Sequence, residues 1–315
     1  MKLVMLDAGT LGDDLSFEAL RAMGDLTVYS TTALEQVAER LRDCEVAILN
    51  KIKMTSEIFD AAPHLRLVCL TATGYDNVDL NAARAHGVAV CNVPGYSTPS
   101  VVQVTIATVL SLATHLPTYA EYVRSGDYER GGVANRLIPV YHELCKKTWG
   151  VVGYGSIGRG VADVARALGC RLLVCRRTPD GSPESCDVDT LCRESDIITL
   201  HTPLNDSTKG LINRDRIASM KDGVILVNVA RGLVTDEQAV ADAVVSGKIG
   251  GFGCDVFSAE PFGAKHPFSA ILDYPNVCLT PHMAWGSYEA RVRCLNTIAE
   301  NISAFVAGKA HNRVD

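Results

Sequence analysis

The feature that most constrains this chain is a rhythm of short apolar runs separated by amphipathic stretches. The runs are Lys2–Leu6, Leu26–Ser30, Val46–Asn50, Leu65–Ala72, Val88–Asn92, Trp149–Gly153, Arg171–Cys175, Ile197–His201, Val224–Val229, Gly251–Asp255 and Val277–Thr280. They are rich in β-branched residues and do not alternate apolar with polar, as expected of strands covered on both faces. Helical patterns lie between them, as in Ser16–Met23, Leu34–Arg42, Gly158–Leu168 and Thr235–Ser246. Strand and helix in alternation predict an α/β fold with parallel sheets and crossover helices. A chain of 315 residues suits two such domains.

The turn-rich stretch Pro94-Gly95-Tyr96-Ser97-Thr98-Pro99 marks a boundary, followed from about Ser100 by a long apolar helix. A second break falls near Pro281–Gly286. Beyond it Ser287 can cap a last helix, with Glu289 in the first turn, Leu295, Ile298, Ile302 and Phe305 on one stripe, and Gly308 at its end. A lone terminal helix must bury that stripe. The expected division is therefore discontinuous: 1–98 plus 286–315 as one domain, 99–285 as the other.

Composition narrows the function classes. Hydrophobic residues at 47% and charged residues at 21% exclude wholesale disorder. Thirty basic residues against 36 acidic ones give a net charge of −6 and no broad basic surface, so neither nucleic acid nor a membrane surface is an expected partner. The one stretch resembling a membrane span, Val101–Leu116, is short, carries Gln103 and His115, and reads as a buried helix. The eleven cysteines form no C-x-x-C pair, which suggests small buried side chains in a reducing cytosol and no zinc site. The N-terminal apolar run is too short for a signal-peptide core. A cytoplasmic protein is expected.

Two groups of residues carry chemistry. In WGVVGYGSIGRG, Gly153, Gly155 and Gly158 fit G-x-G-x-x-G between a strand and a helix that begins near Ile157. Such glycines allow a tight turn and close backbone approach to a pyrophosphate, which the helix N-terminus attracts. Ser156 and Ile157 complete the loop. The next strand should end at the residue that reads the adenosine ribose. There stand Arg176 and Arg177, without the acid that would hold an NAD 2′-hydroxyl, so NADP(H) is the expected cofactor and NAD(H) the alternative. His201, Thr202 and Pro203 follow a further strand into the same crevice; His201 is read as structural.

The other group lies at three later strand ends: Arg231, Glu260 and His282. In parallel strands all three face one sheet edge, where ligands bind. Hydride transfer to a 2-oxo acid wants this set. A guanidinium pairs with the carboxylate, an imidazole supplies the proton to the developing alkoxide, and a glutamate orients that imidazole.

The segments TATGYDNVDL, NVPGYST, KTWGVVGYGSIGRG, HTPLNDSTKGLI, VILVNVARGLV, GFGCDVFSAEP and LTPHMAWGS together resemble the D-isomer-specific 2-hydroxyacid dehydrogenase family along nearly the whole chain. The first residues, the ILNKIKMT segment and the ending look closest to the glycerate dehydrogenases, also called hydroxypyruvate reductases. The resemblance implies two Rossmann-like domains, a flavodoxin-like substrate domain and a dinucleotide-binding domain, with the active site in a cleft. It implies Arg231 as carboxylate anchor, His282 as acid and base, and Glu260 as its partner. Thr73 and Gly74 match a carboxylate-binding loop, and Lys51 and Trp285 fall where this branch lines its substrate pocket. Asp255 matches the acid that binds the nicotinamide carboxamide, and Ala230 lies beside the cofactor. A homodimer joined through the dinucleotide-binding domain is also implied. Arg176 is the departure, because many relatives carry Asp there. The expected reaction interconverts hydroxypyruvate or glyoxylate with D-glycerate or glycolate. The rivals are another 2-oxo acid, or a cofactor-sensing, corepressor-like binding module on the same fold.

Overall fold

A computed structural model describes residues 1–315. The chain divides into two compact units, Met1–Ser97 with Gly286–Asp315, and Thr98–Trp285.

In the first unit, five parallel strands, β1 (Lys2–Met5), β2 (Asp25–Val28), β3 (Val46–Leu49), β4 (Leu67–Leu70) and β5 (Ala89–Cys91), lie in the order β2-β1-β3-β4-β5. Val4, Leu6, Ala47, Leu49, Val68 and Leu70 join one buried cluster with Val37 and Leu41 of the helix Leu34–Leu41. The intervening Leu3, Met5, Ile48 and Cys69 are equally buried on the opposite face. Burial on both faces explains why the runs show no alternation. The terminal helix Tyr288–Val306 belongs to this unit and packs on β4 and on the short helix Glu18–Arg21. Ser287 accepts the Ala290 N–H as its cap, and Gly308 ends the chain's turn at φ 69°. Beyond it Val314 N–H donates to the Val90 carbonyl, tying the C-terminus to β5.

The second unit holds six parallel strands, β6 (Thr148–Val152), β7 (Arg171–Cys175), β8 (Ile197–Leu200), β9 (Val224–Asn228), β10 (Ile249–Cys254) and β11 (Val277–Leu279). Their order is β11-β10-β9-β8-β6-β7. The order reverses between β6 and β8, the place where open α/β sheets bind ligands beyond the strands' carboxyl ends. Neighbours along a strand divide between two clusters: Ile197 and Val227 in one, Ile198 and Leu226 in the other. The apolar helix Thr98–Thr114 buries Val101, Thr105, Val109 and Leu112, and bends by 65° into Leu116–Arg124 at His115. No single helix is long and apolar enough to cross a membrane.

Every strand read from sequence is present, its ends within two residues. The helix expected over Ser16–Met23 contracts to Glu18–Arg21, and the phosphate-loop helix starts at Ser156, ahead of Ile157.

Candidate functional site

The glycine loop turns sharply out of β6. Gly153 has φ 92°, and a Cβ there would meet the His201 carbonyl oxygen at 2.6 Å. A Cβ on Gly158 would lie 2.0 Å from the Gly153 carbonyl oxygen, so the helix Ser156–Ala167 can pack against the loop only with glycine there. A Cβ on Gly155, in contrast, would meet nothing within 4 Å. Gly155 caps the helix without a side-chain acceptor, so the amides of the first turn, at Ser156 and Ile157, are left to an anion. Two glycines demanded by backbone contact and one facing open space fit a dinucleotide pyrophosphate.

At the end of β7, Arg176 lies with its guanidinium 4.5 Å from the Tyr154 ring centroid and pairs with Asp180. Its Nε is buried without a partner. The Tyr154 hydroxyl accepts from Arg166 at 3.1 Å, and Arg166 is itself held by Glu184 at 2.6 Å. Arg177 is exposed. The residue between the first two glycines therefore carries Arg176 on its face. Sequence reading passed over both Tyr154 and Asp180, although each lies within four residues of a residue it singled out.

Past β8, both ring nitrogens of His201 are buried without a partner, and burial pushes the imidazole down to about 3, so it is neutral. Its backbone N–H donates to Val152, closing the crevice floor beside Gly153. Thr202 follows half-buried, and the Pro203 carbonyl accepts the Thr208 hydroxyl at 2.6 Å.

The strands β9, β10 and β11 are adjacent, which places the turns bearing Arg231, Glu260 and His282 along one edge. Asn228, fully buried, closes the first turn: its Oδ1 accepts the Ala230 N–H at 3.0 Å and its Nδ2 donates to the Arg231 carbonyl at 2.9 Å. The Arg231 guanidinium donates to the Ala230 carbonyl at 2.8 Å. A Cβ on Gly232 would stand 2.1 Å from the Phe257 carbonyl carbon, so this turn touches the β10 loop backbone to backbone.

His282 sits at φ 53°, a left-handed conformation that costs a non-glycine residue about 1–3 kcal/mol. Asp255, buried at the end of β10, holds it there: its carboxylate accepts the Thr280 hydroxyl at 2.6 Å and the Met283 and Ala284 N–H groups at 2.9 Å each. Burial still raises the Asp255 carboxyl above the usual carboxylate range, against the lowering pull of these donors. Ser100 adds an anchor by donating to the Ala284 carbonyl at 2.6 Å. Glu260 and His282 meet directly, Oε2 to Nδ1 at 2.6 Å, while Glu260 Oε1 accepts the Phe257 N–H at 3.0 Å. Both side chains are part-exposed, at 29% and 24%. With Nδ1 committed to the carboxylate, Nε2 is the atom free to exchange a proton with a ligand. Trp285, half-buried, follows two residues after Met283.

The remaining residues singled out from sequence lie in the first unit. Lys51 is exposed, and its backbone N–H donates to buried Asp7 at 2.7 Å, as does that of Asn50 at 2.9 Å. Thr73 donates its hydroxyl to Val93 at 2.8 Å and accepts Asn92 on its carbonyl at 2.7 Å, fixing the loop that continues to half-buried Gly74.

The family model for the NAD-binding domain of D-isomer specific 2-hydroxyacid dehydrogenases matches residues 106–284. A hydroxypyruvate reductase of Blautia hydrogenotrophica is 37% identical, with all of both chains covered. A glycerate dehydrogenase of Methylorubrum extorquens is 36% identical over 91% of this chain and 90% of its own. Among solved structures, the TT0316 protein of Thermus thermophilus superposes with a TM-score of 0.89 at 32% identity, with all of both chains covered. A glycine loop that fits a dinucleotide and an imidazole–carboxylate pair on the same sheet edge accord with that kinship: the chain belongs to the D-isomer-specific 2-hydroxyacid dehydrogenases, oxidoreductases that use a nicotinamide dinucleotide.

Proposed function

We propose that the protein reduces a small 2-oxo acid, hydroxypyruvate or glyoxylate, to the D-2-hydroxy acid, D-glycerate or glycolate, and catalyses the reverse reaction, with NADPH preferred over NADH. The observation that carries the reading is the 2.6 Å Glu260–His282 pair on the edge that also bears Arg231. The nicotinamide, when bound, supplies the hydride to the carbonyl carbon. Arg231 anchors the substrate carboxylate and draws electron density from the adjoining carbonyl. His282 gives the Nε2 proton to the carbonyl oxygen as charge develops there, and takes it back in oxidation. Glu260 stabilises the imidazolium and fixes which nitrogen faces substrate. Thr73 and Gly74 would offer backbone amides to the carboxylate, and Lys51 and Trp285 would contact the rest of the acid. Asp255 keeps His282 in its strained turn, and Oδ2, with one donor, retains a lone pair for the carboxamide.

For the cofactor, Gly153, Gly155, Gly158, Ser156 and Ile157 would hold the pyrophosphate, with Thr202, Pro203 and Ala230 along the crevice. Arg176 and Arg177 favour a 2′-phosphate, for which Asp180 is the counter-ion to be replaced. The relatives' names, hydroxypyruvate reductase and glycerate dehydrogenase, support the substrate. Seven of the eleven cysteines are buried as small apolar side chains, which supports a reducing cytosol. The exposed apolar segment with Val133, Leu137, Ile138, Val140 and Tyr141 supports a homodimer formed through this unit.

His282→Ala tests the reading. It should lower kcat/KM by about 10²–10⁴-fold while NADPH still binds. A variant retaining normal kcat/KM would remove His282 from the chemistry.

A further inference from the structure

One buried acid beside the site has no part in the chemistry above. Glu237 opens the helix Glu237–Val245 and is 8% exposed. Its Oε1 accepts the Ser258 N–H at 2.8 Å, and its Oε2 accepts the Ser258 hydroxyl. The same Oε2 stands 2.9 Å from Nε2 of His266, itself 6% exposed, within ion-pair range though off the line of a hydrogen bond. The His266 Nδ1 accepts the Phe268 N–H at 3.2 Å, so its ring proton belongs on Nε2, facing the acid. Phe262 and Phe268 enclose this imidazole, with ring centroids at 4.7 and 5.0 Å. A carboxylate removed from water is unfavourable unless donors replace the water. Here both hydrogen bonds come from a single residue of the Glu260 loop, with the His266 N–H facing the acid beside them.

What that residue is attached to gives the arrangement its consequence. The Phe257–Ser258 peptide is confined from two sides: a Cβ on Gly232 would fall 2.1 and 2.2 Å from its carbonyl carbon and nitrogen, so only glycine fits beside it, and Glu237 takes its N–H. The next donor back, the Phe257 N–H, binds Glu260 Oε1 and so turns Oε2 toward His282. We infer that Glu237 is a positioning residue for the reaction: by clasping Ser258 it sets the Phe257–Glu260 loop, and through it the Glu260–His282 pair. The inference rests on the reading of that pair as the acid–base machinery, and the test separates the two.

The experiment is a double-mutant cycle on hydroxypyruvate reduction with NADPH, with NADPH affinity read separately from quenching of intrinsic fluorescence. Glu260→Gln should lower kcat by about a hundredfold. Glu237→Ala should lower it by about tenfold while the NADPH Kd stays within about twofold. In the Glu260→Gln background, Glu237→Ala should cost less than about twofold, because its effect passes through the group already removed. Ser258→Ala deletes one donor and leaves the acid in place, so it carries the test if Glu237→Ala does not fold. It should lower kcat by about threefold, with the loss again absent in the Glu260→Gln background. Losses that multiply across the cycle, or full kcat in both Glu237→Ala and Ser258→Ala, would overturn the inference and leave the Glu260–His282 reading standing. Full kcat in Glu260→Gln would remove both.

Discussion

Two histidines of the second unit show how neighbours decide what one side chain does. His282 has a carboxylate on one ring nitrogen and is part-exposed; His201 has nothing on either nitrogen, and both nitrogens are buried. The first is equipped to exchange protons, the second to remain neutral. His201 then predicts a pH dependence of stability. Its imidazole titrates near 3 in the folded chain and near 6.5 when unfolded. Between those values the unfolded chain binds a proton that the folded chain refuses, so stability is full above pH 6.5 and falls as the pH is lowered. The slope is about 1.4 kcal/mol per pH unit, or about 2 kcal/mol by pH 5. Urea unfolding at pH 7.5 and pH 5 measures it. His201→Gln should flatten the difference by that amount, and an equal difference in both proteins would contradict the assignment.

At the level of elements, the phosphate loop is set by contacts only glycine permits. Gly158→Ala would drive a methyl group into the Gly153 carbonyl. Overpacking of this kind costs about 1–3 kcal/mol, here by displacing the helix N-terminus from the loop. NADPH titration should show affinity weakened by about tenfold or more, whereas Gly155→Ala, with open space around it, should disturb the fold far less. The loop was legible in the sequence because its demands are local: a strand, three glycines at fixed offsets, a helix. The strands were legible for a related reason, since burial on both faces leaves unbroken apolar runs. Arg231, Glu260 and His282 could be placed on one edge because parallel strands all end on the same side. What escaped were pairings across loops. Nothing in the sequence joins Glu237 to Ser258, 21 residues away, or Asp255 to Ala284, 29 residues away. Short helices such as Ser56–Asp60 and Arg214–Ser219 escaped too, being too brief to establish a period.

For the whole molecule, the exposed apolar segment in the second unit is where the proposed homodimer would form. Leu137, Ile138 and Val140 are each about two-thirds exposed, and contiguous exposed apolar side chains of this kind mark candidate protein–protein contacts. Sedimentation equilibrium should give twice the chain mass, and charged residues at Leu137 and Val140 should yield a monomer; a wild-type monomer would contradict the homodimer. The central claim, a reductase of small 2-oxo acids that prefers NADPH, is tested most directly by following the absorbance of the reduced nicotinamide. Hydroxypyruvate, glyoxylate and pyruvate are each offered with NADPH and then with NADH. The account predicts rapid loss of NADPH with hydroxypyruvate or glyoxylate, and slower loss with NADH. Rapid loss with NADH alone would contradict the role given to Arg176, and no turnover of any of the three acids by protein that binds NADPH would contradict the proposed substrate.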